Sequence, residues 1–325
     1  MSSINMSDAI DSLNGNPLER LTSEMSPGVQ SNCTSRLTLN IVNPSIKISN
    51  PAYCLISWNV DRYNEVIHNW LKQLLTTSRP DVVFLSETKI VEDQLRAYFS
   101  EFTEYNSIIN VHNPTRYHGV AVLIRRDHSY IPFNVNMNIQ ARQDAKDGNP
   151  ISGRLIAFQL DDDFIVVGTY VPNSGVGKPD NHVVSKFEYR VRIWDPALQS
   201  LLNTFQNMKP TIWLGDINVA PTELDVSNPK TMCKVSGFTP QERHSFSQFI
   251  TAGNWVDIWR SQHPTAREYT WVSYKPRTNY GMRLDSIIVS SHFWNKDVCR
   301  INSTFMMPNC GTATDHVPIG AYIAR

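Results

Sequence analysis

Short apolar runs, each closed by a polar residue, recur through most of this chain. The first is "YCLISWN", residues 53–59, and after it apolar positions fall at Val66, Ile67, Trp70, Leu71, Leu74 and Leu75. That second spacing puts the side chains on one helical face. "DVVFLSE" then reads as a buried strand with Pro80 in front of it. "GVAVLIRR", "RLIAFQL", "FIVVGTYV" and "PTIWLGD" read as further strands, and residues 186–208 as a long helix with Phe187, Val191, Trp194, Leu198, Leu202 and Phe205 on one face. "TPQERHSFSQFI" opens a helix by its own chemistry: Thr239 as N-cap, Pro240 at the first helical position and Glu242 completing a capping box. The late runs "YTWVSY", "RLDSIIVSS" and "HVPIGAYIA" complete a set of many strands with few helices and no repeat, which predicts a layered α/β domain over residues 53–325. Residues 1–50 are rich in Ser, Asn and Pro without periodicity and read as a disordered extension.

Composition adds bounds rather than detail. Among 325 residues, 41% are hydrophobic and 18% charged, an ordinary globular balance with ample length for a core. The formal net charge is zero, so no global basic field announces a polyanionic partner. Five cysteines lie far apart with no CxxC pair, which suggests reduced thiols in the nucleus or cytosol. Asp8, Asp11, Glu19 and Glu24 do not support a mitochondrial leader, although that address stays open. No apolar run reaches the length of a membrane span. The sequons at Asn32 and Asn302 read as chance matches. "GVGKP" lacks the spacing of a P-loop, "EYRVR" reads as a solvated helix face, and Trp58, Trp213 and Trp255 read as core.

The polar residues at the strand ends carry the chemistry. Asn59 and Asp61, Glu87, Tyr170 and Asn173, Asp216 and Asn218, Asp285, and Asp315 with His316 stand at six separate junctions. A single Asp or Asn there is usually turn chemistry. If the junctions converge, however, they form a patch of hard oxygen ligands that repels itself without a cation, and such ligands suit Mg²⁺ rather than Zn²⁺. A metal near Glu87 and Asp315 would act as a Lewis acid on a phosphate oxygen. Asp216 and Asn218 alternate with Ile217, so an extended backbone would turn both to one face and pack Ile217 inward. A carboxylate beside an amide can take a proton from water and hold an attacking oxygen. Asp285 is placed to orient the His316 imidazole, which as a cation would stabilise a phosphorane.

"SWNVD", "LSETK", "GTYVPNSG", "WLGDINVAPTELDVSNPK", "SGFTPQER", "RLDSIIVS" and "TDHVPIGAYI", in this order, resemble the exonuclease III-type apurinic/apyrimidinic (AP) endonucleases of the endonuclease/exonuclease/phosphatase superfamily. The resemblance implies a four-layered α/β sandwich with two packed mixed β-sheets flanked by helices. It implies Mg²⁺-dependent hydrolysis (with Mn²⁺ as a substitute) of the phosphodiester 5′ to an abasic site in double-stranded DNA. Base excision repair would be the setting, with 3′-phosphodiesterase and 3′→5′ exonuclease side activities, and the enzyme is expected as a monomer. Glu87 then looks like the principal metal ligand, in a metal set of Asn59, Asp61, Glu87, Asp216, Asn218 and Asp315. Asp216 would activate the attacking water and Asn218 hold it or the phosphate. Tyr170 and Asn173 would contact the scissile phosphate, and His316, paired with Asp285, would polarise it. Asn228 would touch the DNA backbone, while Trp271, Met282 and Leu284 would line the abasic pocket.

Departures from the family pattern are as informative. "DRYN" after "SWNV" lacks the usual Gly, Thr314 replaces a Ser, Val176 stands where an Arg can occur, and Met282 stands at a usual aromatic. "EYRVRIWD" has one residue more than usual before its Trp, which leaves the placement of Arg190 and Arg192 open. Two other readings are a target-nicking endonuclease of a non-LTR retrotransposon and a catalytically silent DNA-binding module.

Overall fold

The computed structural model describes residues 52–112, 117–142, 149–176, 182–273, 280–294, 299–307 and 313–325. The predicted N-terminal extension lies outside them, and all of them belong to the unit Leu39–Arg325. The strands are β1 (Ala52–Asn59), β2 (Val82–Ser86), β3 (Tyr105–Asn110), β4 (Val120–Arg125), β5 (Tyr130–Pro132), β6 (Leu155–Leu160) and β7 (Phe164–Tyr170), then β8 (Thr211–Asp216), β9 (Trp255–Asp257), β10 (Trp271–Val272), β11 (Gly281–Met282), β12 (Asp285–Ser290), β13 (Ile301–Met306) and β14 (Ile319–Ala324). Two six-stranded sheets form, in the orders β13-β14-β1-β2-β4-β3 and β5-β6-β7-β8-β12-β9, with β10 and β11 as a separate ribbon.

Each large sheet is mixed in the same way. Its only parallel pair is central, β1 with β2 in one and β7 with β8 in the other, and the remaining neighbours are antiparallel. A parallel pair needs a crossover. The chain supplies one through α1 (Glu65–Ser78), and the other through α3 (Lys186–Glu188), a π-helical turn (Tyr189–Trp194) and α4 (Asp195–Met208). Both members of a parallel pair therefore finish at the same edge. Asn59 and Asp216 are the last residues of β1 and β8, Tyr170 is the last of β7, and Glu87 comes directly after the end of β2.

The layers arise from period-two alternation. On β1, Tyr53 and Leu55 join the core between the sheets, while Cys54, Ile56 and Trp58 face outward under α1 and α2 (Glu92–Phe99). On β8, Ile212 and Leu214 join the inter-sheet core, and Trp213 packs under α4 and α6 (Pro240–Gly253) with Leu198, Leu202, Phe246 and Phe249. The result is the expected four-layered sandwich, helices outside and sheets inside.

The capping box predicted at Thr239 is present, with Thr239 Oγ1 accepting from Glu242 N and the Glu242 carboxylate accepting from Thr239 N. Trp58, Trp213 and Trp255 are core residues as read. The run at residues 186–208 is helical throughout, but the extra residue before Trp194 lies in the π-helical turn, where a wider turn absorbs one residue. Of "YTWVSY" only Trp271–Val272 is a strand, and Tyr274 lies outside the described residues. The strands β3, β5, β11 and β13 are absent from the sequence reading. Most are sheet-edge or very short strands, such as "INSTFM" with its exposed Asn302, which gives no continuous apolar run.

Candidate active site

The polar strand ends do converge. Asn59 is fully buried, and its Nδ2 donates to Glu87 Oε1 at 2.9 Å and to Asp216 Oδ2 at 3.0 Å, joining one sheet's edge to the other's. Its Oδ1 accepts from the Asp61 backbone N at 3.0 Å. All of its polar atoms are thus engaged within the protein. In this geometry the Asn59 amide nitrogen orients two carboxylates, and its oxygen, with one bond accepted, keeps a second lone pair.

Asp216 and Asn218 meet as expected, for a different local reason. The strand ends at Asp216, and Asn218 has φ +52°, so the backbone between them is a left-handed turn rather than an extended segment. The turn brings Asn218 N to 2.9 Å from Asp216 Oδ1 and Asn218 Nδ2 to 3.1 Å from Asp216 Oδ2, while Ile217 is buried in the outer core as predicted. Asn218 Nδ2 also donates to the Val171 carbonyl, and its Oδ1 accepts from Asn173 Nδ2 at 3.0 Å. Asp61, Glu87 and Lys89 have positive φ as well, +48°, +57° and +52°. Such conformations cost non-glycine residues about 1 kcal/mol or more each and persist where surrounding contacts dictate them. Here they gather at one edge of the molecule.

The opposite wall is the His316 loop. His316 Nδ1 lies 2.7 Å from Asp285 Oδ2, and both side chains are buried. Three further contacts hold the loop's backbone: Trp58 Nε1 donates to the His316 carbonyl, His316 N donates to Thr314 Oγ1, and Thr314 Oγ1 donates to the Asn59 carbonyl. The threonine that replaces the usual serine therefore keeps a hydroxyl with a use. Asp216, Asp285 and His316 place ligand atoms within 4.8 Å of one another.

The electrostatics divide the acids. Burial opposes ionisation of Glu87, but the Lys89 ammonium, 2.5 Å from Oε2, outweighs it and holds the carboxyl below its ordinary range. Lys89 also reaches Asp61 Oδ1 at 2.7 Å. Asp216 is pushed up to about 8 by burial and the Asp285 charge, against the pull of His316 and with a further push from Glu87. Asp315 is raised by burial, with His316 and the Trp271 N–H opposing. Burial disfavours the His316 cation, yet the charge and hydrogen bond of Asp285 raise the imidazole to about 10. Burial and the neighbouring Glu87 raise Tyr170 well above the ordinary phenol range.

This donor set fits a hard divalent cation. Asp61, Glu87 and Asp315 offer carboxylate oxygens and no thiol is nearby among the described residues; Asp216 and Asp315 are held up by burial and anionic neighbours, a sign of negative charge in excess of local cations. Asp285 Oδ1 is buried without a partner.

The remaining predicted residues lie further out along the same edge. Asn173 is exposed beside Asn218. Asn228 is exposed and caps α5 (Pro229–Met232), its Oδ1 accepting from Thr231 N. Met282 and Leu284 are buried in an apolar cluster with Ala220, Val226, Met232 and Phe238, and the half-buried Trp271 packs against it. Met282 is 1% exposed, so in this structure it lies beneath the surface, not open to a ligand.

Sequence reading missed two site residues. One is Lys89. The other is Arg190, read as part of a solvated face but buried. Arg190 Nη1 donates to the Pro172 carbonyl at 2.9 Å, Nη2 to the Ile217 carbonyl at 2.9 Å, and Nε to Asp195 Oδ1 at 2.5 Å. Arg192 does lie on the solvent face, 79% exposed. The extra residue ahead of Trp194 was the available signal, since a π-helical turn rotates the helix beyond it.

Comparison with known proteins agrees with this geometry. Residues 56–316 match the Endonuclease/Exonuclease/phosphatase family, and the chain belongs to that family of nucleases and phosphoesterases. It is 34% identical over 280 residues to a DNA-(apurinic or apyrimidinic site) endonuclease of Dictyostelium discoideum, covering 83% of this chain and 70% of the relative. It is 32% identical to the DNA repair nuclease APEX1 of Danio rerio, covering 83% and 82%, and 31% identical to an exodeoxyribonuclease of Bacillus subtilis, covering 73% and 87%. The AP endonuclease LMAP from Leishmania major has the same fold, with a TM-score of 0.71 at 24% identity, covering 99% of this chain and 100% of that one. Among the described residues no helix is long and apolar enough to cross a membrane, and Cys54, Cys233 and Cys299 are free thiols.

Proposed function

We propose that the protein is a Mg²⁺-dependent AP endonuclease that hydrolyses the phosphodiester 5′ to an abasic site in duplex DNA and leaves a 3′-hydroxyl. The observation that carries this reading is the Asn59 side chain bonded to both Glu87 and Asp216, because it unites a cation-binding edge and a water-activating edge in one site. Glu87, Asp61 and Asp315 would hold Mg²⁺, which supplies Lewis-acid polarisation of the phosphate and stabilises the departing oxygen. Asp216 accepts the proton of the attacking water, with the Asn218 and Asn173 amides beside it to hold the water or the phosphate. Asp285 engages His316 Nδ1, so the protonated ring presents its Nε2 proton to a non-bridging phosphate oxygen. The Tyr170 hydroxyl, kept neutral by burial, is a second donor to the phosphate. Trp271, half-buried against the apolar cluster, would meet the abasic sugar, and Asn228 would meet the backbone.

A duplex containing a tetrahydrofuran abasic analogue should be cut 5′ to that site in Mg²⁺ and left whole in EDTA. Preferential nicking of intact duplex would instead support the retrotransposon-type reading, and tight abasic-DNA binding without turnover the silent module.

A further inference from the structure

Trp271 belongs to two neighbourhoods at once. Its ring packs against the apolar cluster of Met282, Leu284 and Phe238, where the abasic sugar is proposed to sit. Its indole Nε1 donates to Asp315 Oδ2 at 2.8 Å, on the cation-binding side of the site. The backbone locks this arrangement. Val272 N donates to the Asp315 carbonyl, Val317 N donates to the Thr270 carbonyl, and Trp271 forms a β-bridge with His316. On the other side β10 pairs with β11, with Trp271 opposite Met282. The Asp315 carboxylate is thus aimed by a side chain whose ring also packs against the apolar cluster.

We propose that Trp271 is a positioning residue for Asp315, and that its N–H couples the apolar wall to the cation site, so this one side chain sets both divalent-cation affinity and the response of that affinity to abasic DNA. This deepens the function proposed above and rests on its placement of the cation. The physical basis is directional: without the indole N–H the carboxylate loses the donor that holds Oδ2, and a half-buried acid beside Asp61 and Glu87 is then free to rotate away from them. A ring displaced by an inserted sugar would carry its N–H, and hence Asp315, with it.

The test separates the N–H from the ring. Trp271→Phe keeps an aromatic ring, though a smaller one, and removes the donor, and Mn²⁺ binding to the full chain without DNA, measured by electron paramagnetic resonance, reads the cation site directly. The expected result is a loss of about 10-fold in Mn²⁺ affinity for Trp271→Phe, the lower end of the range for residues that orient metal ligands. In an Asp315→Asn background the same substitution should leave Mn²⁺ affinity unchanged, an outcome that a general loosening of the fold would not give. Equal Mn²⁺ affinity for wild type and Trp271→Phe overturns the proposal, as does an equal loss in both backgrounds. Because the readout needs no turnover, a wild type that binds Mn²⁺ but does not cut abasic DNA would sink the proposed function while leaving the Trp271 result standing.

Discussion

His316 Nδ1 and Asp285 Oδ2 lie 2.7 Å apart with both side chains buried, and this pair holds a cation inside a site made mostly of acids. With His316 as the proposed donor to the phosphate, His316→Gln should lower kcat by about 10²–10³-fold, the usual cost of deleting one preorganised donor. Single-turnover cleavage of an abasic duplex measures this apart from product release. A variant within a few-fold of wild type would remove His316 from its proposed role.

The same pair makes stability depend on pH. His316 rises from 6.5 to about 10 on folding, so the folded state binds its proton more tightly than the unfolded chain. The stability this gives is complete below about 6.5 and is lost as pH climbs through 10. Urea titrations at several pH values should show the advantage of wild type over His316→Gln constant in acid and shrinking from neutrality to pH 10. An advantage that grew with pH would contradict the assignment.

Asn59 is the only side chain bonded to both Glu87 and Asp216 among the described residues, and Asn59→Ala should leave those acids repelling each other. Activity should drop by about 10–100-fold, with a weaker response to Mg²⁺, as for other residues that orient metal ligands. A Mg²⁺ titration of cleavage rates checks both parts.

Arg190 and Arg192 stand two residues apart with opposite environments. Arg190→Gln strands Asp195 and the Pro172 and Ile217 carbonyls, and should cost about 3–5 kcal/mol, the scale for breaking a buried charge pair. Arg192→Gln, on the solvent face, should stay within about 0.5 kcal/mol. Equilibrium urea unfolding of the two variants side by side tests the contrast.

Gly215 precedes Asp216 with φ +136°, and a Cβ there would lie 2.0 Å from the Thr169 carbonyl oxygen. Gly215→Ala must push β8 off β7, the two strands that carry Asp216 and Tyr170. We expect a loss of about 1–3 kcal/mol or more and a lower kcat, read by thermal unfolding and by cleavage rate.

The sequence by itself determined the strand and helix inventory at the centre of the domain, because apolar runs and capping chemistry act over a few residues. "WLGDINVAP" announced a buried strand ending in functional polar groups, and Thr239–Glu242 announced a helix start. Edge strands such as β13 left no such mark, since a strand with one polar face lacks a continuous apolar run. The class of the site was legible as well, because acids, amides and one imidazole at successive strand ends make sense together.

Only the tertiary structure decided how those groups are used. It made Asn59 a bridge between two carboxylates, and it made the Asp216–Asn218 contact through a left-handed turn instead of an extended strand. It buried Met282 and brought Arg190 inward beneath the Pro172 and Ile217 carbonyls through a π-helical turn. Each of these depends on which chain segments, far apart in sequence, share one dry volume, and hydrogen-bond partners and charge balance inside that volume exist only once the two sheets have packed.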